Sequence, residues 1–477
     1  MLPLSRYAAR KLATTRLKNA LSVSKKSGRN STNNPTRVRQ AMQKHGKLKT
    51  VLLAGVMALS QVTPSHAREP HGSEAHNYAD SIYKNGPLIT LDDAVKKAIE
   101  ASPRLKSVSA GLEAAKGAEE QAGYWPNPEI GFEAENIAGG GAYSGTDSAE
   151  YTYGLNQKVE IGGKRSARKG AATAAREAAT TELLAERMNL ERDIHIAYSD
   201  VLAEAEALKL AIDQEELAKG VLATVSERVD AAAEPEIQRS KAEVAHATSV
   251  IARQQEERQL KVAKERLARL WGSSTFDVSL DHSHFFELQA PEAFHTYREK
   301  LDRIPDLQRL AYVTAEKESL LELEQAQVIP DPNFSLGVRD FRDSGDQAFM
   351  FGVSLPIPVF NQNSGNVAKA RAEVSQAEND GRQAELMLEQ QLTENWQHWN
   401  TAYSEAERMQ TTLLPAAEKA FRLARSGYEK GKFPYLEVLD AQRTLFEARA
   451  QYHDSLKRYH SARANVERLT NPTGDQK

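Results

Sequence analysis

Two clusters of histidine and acidic residues are the candidate metal ligands of this 477-residue chain, which contains 12 histidines. They are His71-x-x-Glu74-x-His76 and Asp281-His282-x-His284. A protein zinc site needs three or four ligands, and neither cluster has a further ligand at suitable spacing. Both are therefore interpreted as solvated polar loops. His453 and His460 share a helical face and are interpreted as packing or surface residues.

Residues for covalent or acid–base catalysis are not grouped in any recognisable pattern. There is no Ser-His-Asp set, glycine-rich phosphate loop or carboxylate pair in a defined pocket. The absence of cysteine excludes a Cys nucleophile, a disulfide, a thiolate metal site and a lipidated Cys. The sequence therefore predicts neither an enzyme nor a bound cofactor.

A pair of acids, Glu437 and Asp440, is the third candidate. The pair follows Gly431 and Pro434, which can turn the chain between two long helices, so both acids fall early on the returning helix. Residues three apart share a helical face. Two interpretations stay open. The acids are either solvated on a helix surface, or they line a bore in which symmetry-related copies form cation-attracting rings.

The charge distribution is uneven along the chain. The net charge is −3, but residues 1–67 contain 13 Lys and Arg and no acid. Residues 68–477 therefore hold 49 Lys and Arg against 65 Asp and Glu, a net charge of −16. An acidic body argues against a nucleic-acid partner and fits either cationic cargo or plain solubility.

The basic start predicts a secretory signal peptide. Lysines precede the apolar run Val51–Leu59, and Ser65-His66-Ala67 supplies a cleavage site after Ala67. The run is too short to span a bilayer as a helix. Met42 is an alternative start, and a transit peptide is the rival interpretation of residues 1–41. Residues 68–89 are predicted to be a disordered lead-in.

Long helices account for most of the remaining chain. A helix is predicted from Thr90, its N-cap, to about Gly123, with a kink or break at Pro103. Residues 164–229 lack proline and predict one helix of about 95 Å, which suits a coiled-coil column. After a turn at Ala231–Pro235 a second helix returns to Gly272. A mixed stretch, 273–290, follows, and Pro291 is predicted to open the next helix.

Two proline-bounded segments predict β-hairpins. One begins at Pro126 and ends at Ile161. The other, residues 327–362, turns at Asp340–Asp346. In both, apolar and aromatic residues alternate with polar ones. A soluble sheet facing a core gives this pattern too, but the chain has no other apolar element of matching width to cover it, so a transmembrane β-barrel with lipid outside and water inside fits better. The predicted lipid-facing residues are Phe132, Tyr153, Leu336 and Phe351, and the predicted lumen residues include Glu133 and Asn156.

The chain also contains an internal duplication. Four short matches recur in order at offsets of 199 to 204 residues, including Pro126-Asn127-Pro128 with Pro330-Asp331-Pro332. The predicted domains are the extension and signal peptide (1–67), the lead-in (68–89), and two repeats (90–290 and 291–477). Each repeat contributes a helix, a hairpin and a long helical hairpin.

The duplication constrains the assembly. Four strands leave two open edges, which lipid does not tolerate, and about eight strands are the fewest that close into a barrel. The predicted fold is thus mainly α with a small transmembrane β part. Three chains share a 12-stranded β-barrel, four strands each, and their coiled-coil hairpins form a matching trimeric α-barrel.

Several motifs resemble the TolC-type outer-membrane efflux proteins. They are Leu91-Asp92-Asp93-Ala94-Val95 with Pro103, Trp125-Pro126-Asn127-Pro128, and Tyr428-Glu429-Lys430-Gly431 with Leu439-Asp440-Ala441-Gln442. Two further motifs are similar to those of the cobalt–zinc–cadmium resistance (CzcC-like) branch of this family. They are Val159-Glu160-Ile161-Gly162-Gly163-Lys164-Arg165 and Leu355-Pro356-Ile357-Pro358-Val359-Phe360-Asn361. The first repeat departs from the family in lacking the tip glycine found in the second.

The resemblance implies a function and partners. It implies a homotrimeric outer-membrane exit duct that couples to a periplasmic adaptor and an inner-membrane proton-driven RND-type pump, with divalent metals as cargo. It also implies that Tyr428, Gly431, Glu437 and Asp440 lie at the periplasmic entrance, with Tyr428 in its gate network. Organic compounds or proteins remain alternative cargo. A soluble periplasmic coiled-coil adaptor or scaffold is the rival from another class.

Overall fold

The computed structural model describes residues 86–471, apart from the side chain of Glu429. The predicted signal peptide, the cluster at His71–His76 and the lead-in up to residue 85 lie outside the described residues. The helices are α1 (Leu91–Ala101), α2 (Pro103–Ala122), α3 (Lys164–Asp230), α4 (Glu236–Leu270), α5 (Phe294–Leu301), α6 (Pro305–Ala326), α7 (Ser364–Arg408), α8 (Leu414–Glu429) and α9 (Tyr435–Thr470). The strands are β1 (Leu88–Ile89), β2 (Glu129–Glu135), β3 (Glu150–Lys158), β4 (Ser279–Leu280), β5 (Asn333–Phe341) and β6 (Gln347–Ser354).

Helix α3 is the longest element of the described chain, with 67 residues. At 1.5 Å per residue it is about 100 Å long, so the predicted long helix from Lys164 is confirmed. Helices α2 and α6 pack against it. Small side chains at heptad-like spacing let neighbouring helices approach closely, and the first half of α3 buries such a series: Ala167, Ala171, Ala174, Ala178 and Ala185.

Prolines divide the shorter helices from their neighbours. Ser102 and Ile304 have extended ψ angles of 121° and 147°, because a residue that precedes proline disfavours the helical region. Pro103 and Pro305 then occupy first helical positions, where the missing N–H costs nothing. Of the predicted kink or break at Pro103, the structure has the break between two helices. At the start of α1, Thr90 and Asp93 form the expected cap, with each side chain accepting a hydrogen bond from the other's backbone.

The second repeat differs from the first in one long element. Where the first has the continuous helix α3, the second has α7 and α8 separated by a π-helical turn at Met409–Leu413. Pro415, near the start of α8, cannot donate a backbone hydrogen bond, and its ring would collide with the carbonyl of Thr411 in a regular helix. The wider π turn accommodates this proline.

Both predicted hairpins form, and they join into one antiparallel sheet in the order β2-β3-β5-β6. The two hairpins meet at β3 and β5, where Tyr153 is the register partner of Val338. Within the described chain, β2 and β6 are the open edges of this sheet. The expectation of four strands per chain with two free edges is confirmed for the single chain.

The second strand of the first hairpin ends at Lys158, not at Ile161 as predicted. Beyond Lys158, the backbone N–H of Val159 donates to the carbonyl of Pro332 at 3.0 Å. The N–H of Ile161 donates to Asp331 Oδ1 at 3.1 Å. These bonds to the second repeat replace strand pairing and lead the chain through Gly162 and Gly163, whose positive φ angles make the turn into α3.

Residues 291–293 were also predicted as helix, but α5 begins at Phe294. Side chains from elsewhere in the chain bind the backbone of the preceding segment. Tyr459 Oη accepts from the N–H of Gln289 at 2.8 Å and donates to its carbonyl at 3.0 Å. The indole of Trp396 donates to the carbonyl of Glu292 at 3.0 Å. These groups satisfy the backbone without helix.

A small parallel sheet corrects the predicted end of the disordered lead-in. Leu88–Ile89, predicted as part of the disordered lead-in, pairs with Ser279–Leu280 in the stretch predicted to be mixed. The hydroxyl of Tyr198 on α3 bonds the carbonyls of Ile89 and Asp281 at 3.1 and 2.8 Å. This sheet packs on the main hydrophobic core, which includes Leu190 and Leu267. Among residues 86–471 no helix is both long and apolar enough to cross a bilayer.

Candidate functional site

The turn between α8 and α9 brings all four predicted tip residues into one short segment. Gly431 has φ +69°, a left-handed conformation that favours glycine, and its N–H donates to the carbonyl of Tyr428 at 2.9 Å. The N–H of Lys432 donates to the carbonyl of Gly427 at 2.8 Å. A Cβ on Gly427 would lie 2.1 Å from the ring of Phe433, so a larger residue here would displace that ring. Pro434 then precedes the first residue of α9.

The first repeat makes an equivalent turn without a glycine. Ala231, Ala232 and Ala233 form the same pattern of backbone hydrogen bonds, and Ala232 has φ +54°. The left-handed conformation costs an L-residue about 1–2 kcal/mol. The missing glycine noted in the sequence therefore leaves the turn intact, with a strained alanine in its place.

The two tips contact each other within the chain. Arg228, near the end of α3, donates to the hydroxyl of Tyr428 at 2.8 Å, and its guanidinium lies 5.2 Å from the centroid of that ring. Arg228 also pairs with Glu234 at 3.0 Å. The ring of Tyr435 lies 5.4 Å from that of Tyr428. Burial, with smaller contributions from Tyr428 and Glu234, raises the pKa of Tyr435 to about 12.

This contact identifies residues that sequence reasoning missed. Arg228 is 200 residues from Tyr428, and nothing in its local sequence indicates the contact. The matching positions of the two tips in the duplication were the only available signal. Glu437 and Asp440 are both exposed, on a helix whose buried residues include Val438 and Leu445. Their role as bore residues stays a prediction.

The sheet separates apolar from polar side chains. Direct register partners share a face, so Phe132, Tyr153, Val338 and Phe349 lie together, as do Ile130, Leu155, Leu336 and Phe351. This apolar face carries large exposed side chains; Ile130 is 90% and Phe349 91% exposed. The four residues predicted to face lipid all lie on it. Contact with lipid stays a prediction.

The opposite sheet face is polar and carries a row of glycines. Glu133 and Asn156 lie on it, as predicted for lumen residues. Across its middle run the register partners Gly131, Gly154 and Gly337. A Cβ on Gly337 would lie 2.9 Å from the carbonyl oxygen of Tyr153. Glycine inside a strand is typical of a bend or a close backbone approach.

A buried ion pair joins the sheet to the helices. Lys164, the first residue of α3, contacts Asp331 Oδ1 at 2.5 Å and the carbonyl oxygen of Ile329 at the same distance. Both charged side chains are less than a tenth exposed. Lys164 belongs to the glycine-glycine-lysine motif of the first repeat, and Asp331 to the Pro-Asp-Pro motif of the second. The two motifs therefore form one junction.

A known protein family matches most of the described chain. A family model described as outer membrane efflux protein matches residues 94–273 and 296–472. The chain belongs to the outer membrane efflux protein family. The two matched segments fall one in each predicted repeat, although the repeat boundaries themselves stay a prediction.

Curated relatives and solved structures of efflux proteins are similar to most of the chain. The cobalt-zinc-cadmium resistance protein CzcC of Cupriavidus metallidurans is 29% identical over 384 residues, covering 80% of this chain and 90% of CzcC. The pyoverdine export outer membrane protein OpmQ of Pseudomonas aeruginosa is 25% identical, covering 75% and 80%. The outer membrane protein VceC of Vibrio cholerae has a TM-score of 0.68 at 19% identity, covering 81% and 97%. The predicted TolC-type fold is confirmed.

Outer membrane efflux proteins are transport ducts, so the family also accounts for the lack of a catalytic set.

In the predicted cluster at Asp281–His284, Asp281 accepts from the N–H and hydroxyl of Ser283, each at 3.0 Å, and His284 lies 3.0 Å from Glu287. The hydrogen bond to Glu287 raises the pKa of His284. His460 is stacked on Phe285, and burial lowers its pKa. Across residues 86–471, no group of three or more His, Cys, Asp or Glu is placed to hold a metal ion.

Proposed function

We propose that this chain is the outer-membrane channel component of a tripartite efflux system and a passive exit duct for divalent heavy-metal cations. The observation that carries the channel role is the sheet with one apolar and one polar face, attached to helices of up to 67 residues. A sheet of this kind suits a wall between lipid and water. The glycine row favours bending toward the polar face, which would then line the lumen.

A homotrimer is the proposed assembly. The four-stranded sheet of the described chain ends in two open edges, β2 and β6, and three copies would supply the twelve strands of a closed barrel. The long helices would extend into the periplasm. There the tip residues Tyr428, Gly431, Glu437 and Asp440 would meet a periplasmic adaptor, which connects the duct to an inner-membrane RND-type pump.

The proposed cargo is cobalt, zinc or cadmium. Support comes from the similarity to CzcC over 80% of the chain and from the acidic body, whose carboxylates would attract cations. A passive duct should not bind its cargo tightly, because conduction requires release. Export of organic compounds is the second candidate, supported by the 25% identity to OpmQ over 75% of the chain.

Deletion of the gene tests the cargo. The deletion strain is expected to become sensitive to zinc, cadmium or cobalt, more than to dyes or detergents, and a plasmid copy of the parental gene is expected to restore resistance. An empty plasmid is the matched control. Sensitivity to dyes and detergents alone would assign the duct to organic compounds. Unchanged resistance to every compound would contradict a role in export.

A further inference from the structure

We propose that Arg339 on β5 sets the charge preference at the hairpin-loop end of the duct. This inference rests on the proposed function, because it takes the polar face of the sheet as the lumen. Arg339 lies on that face, in register with Thr152 on β3 and Ala348 on β6. Its position is two residues before the end of β5, next to the loops.

Three oxygen groups surround the guanidinium of Arg339. Nη2 lies 2.8 Å from Glu135 Oε2, and Nη1 lies 2.8 Å from Glu150 Oε2. Nε donates to the hydroxyl of Thr152 at 2.9 Å. The Arg339 side chain is only 23% exposed, so it is held between the two glutamates.

The guanidinium of Arg339 offsets the repulsion between the two glutamates. Glu135 and Glu150 are direct register partners at the loop end of β2 and β3. Like charges directly opposite each other on paired strands are destabilising. Asn136 also donates to Glu150 Oε1 at 3.1 Å, but it brings no charge. Arg339 therefore offsets one of two adjacent negative charges and leaves the cluster with a net charge of −1.

The other basic residue of the polar face lies at the opposite end of the sheet from Arg339. Among the described strand residues that share this face, the two basic ones are Arg339 and Lys158, and Lys158 is at the helix end of β3. Its ammonium pairs with Asp331 at 3.4 Å. Glu133 adds a further negative charge beside Arg339. At the loop end of this face, Arg339 is thus the cation that limits the negative potential.

Removing Arg339 should make the exit more cation-selective. Loss of the guanidinium changes the cluster from −1 to −2 in each chain, and a trimer would repeat the change three times around one opening. A change of about one kT in local potential alters the local cation concentration about 2.7-fold. We therefore expect the ratio of cation to anion permeability to rise about twofold or more.

Reversal potentials of the purified full-length protein in planar bilayers under a KCl gradient test this inference. Arg339→Gln should raise cation preference, and Glu150→Gln, which makes the cluster neutral, should lower it. The double variant restores the net charge of −1 and should return to the parental value. Arg339→Lys should stay close to the parent, because it keeps the charge.

Arg342→Gln is the matched control for total charge. Arg342 lies in the same hairpin, is largely exposed, and has its guanidinium 5.4 Å from the ring of Tyr151 on the apolar face. Its loss should leave selectivity unchanged.

The outcomes separate this inference from the proposed function. A parent that conducts, with unchanged selectivity in Arg339→Gln and Glu150→Gln, would overturn the role of Arg339 alone. Equal shifts in Arg339→Gln and Arg342→Gln would do the same, because total charge would then decide. A parent that forms no pore would overturn the proposed duct together with this inference. If Arg339→Gln fails to assemble, Glu150→Gln, whose shift has the opposite sign, still decides.

Discussion

At the residue scale, Glu437 and Asp440 are the acids with the most direct proposed role. Both are exposed on the first turns of α9, three residues apart and so on one helical face. If that face lines the entrance, a trimer presents six carboxylates in one constriction. Their field would draw divalent cations toward the opening and would let added metal block the closed state.

The variant Glu437→Gln/Asp440→Asn should lower the ratio of cation to anion permeability in planar bilayers by about twofold or more. Block by added divalent metal should weaken, and trimer assembly should survive because exposed acids contribute little to packing. Glu447→Gln/Asp454→Asn is the matched control for position along the helix, since both acids are exposed on α9 but lie seven and fourteen residues beyond Asp440, away from the turn. Identical selectivity and block in parent and variant would place these acids away from the bore.

The tip also shows what residue patterns cannot predict. Gly431 and Pro434 were sufficient to locate the turn, because glycine at positive φ and proline before a helix act locally. The Arg228–Tyr428 contact joins residues 200 positions apart and depends on how two helical hairpins pack. Arg339 was missed for the same reason, since its partners Glu135 and Glu150 belong to the other repeat.

At the element scale, the strands test the assignment of lipid and lumen. Lysine in place of Phe132, Tyr153, Leu336 or Phe351 should cost about 2–4 kcal/mol near the bilayer midplane, because the charge would enter hydrocarbon. Lysine in place of Glu133 or Asn156 should be tolerated, because these residues lie on the polar face. Assembly yield in the outer-membrane fraction measures the difference. Equal yields for the two sets would refute the assignment.

Alternation of side chains predicted the sheet faces correctly, because the period of two is a property of the strand itself. The ends of strands and helices were harder to predict from the sequence. The strand predicted to reach Ile161 stops at Lys158, and the helix predicted at Pro291 begins at Phe294. In each case a distant group, Asp331 or Tyr459, binds the backbone and decides where the element ends. Such partners are not visible in local sequence.

At the scale of the whole molecule, the features that remain unpartnered in one chain predict the assembly. Both edges of the four-stranded sheet are open within the described residues. Helix α4 also carries exposed apolar residues at intervals of seven, Ile237, Val244 and Ile251, each more than half exposed. A heptad stripe of this kind is typical of a helix that packs against another helix. Pairing with further copies would cover both features.

The predicted cleavage site after Ala67 means that the mature chain should begin near Arg68. The open edges mean that it should fractionate with the outer membrane as a trimer that resists mild detergent. Closure of the barrel would satisfy the strand edges, and packing along α4 would remove the exposed stripe from water. N-terminal sequencing of the membrane fraction and native mass measurement check the two parts separately. A soluble periplasmic monomer would favour the coiled-coil adaptor or scaffold instead. A trimer in the outer membrane with a different N-terminus would leave the assembly standing and correct only the cleavage site.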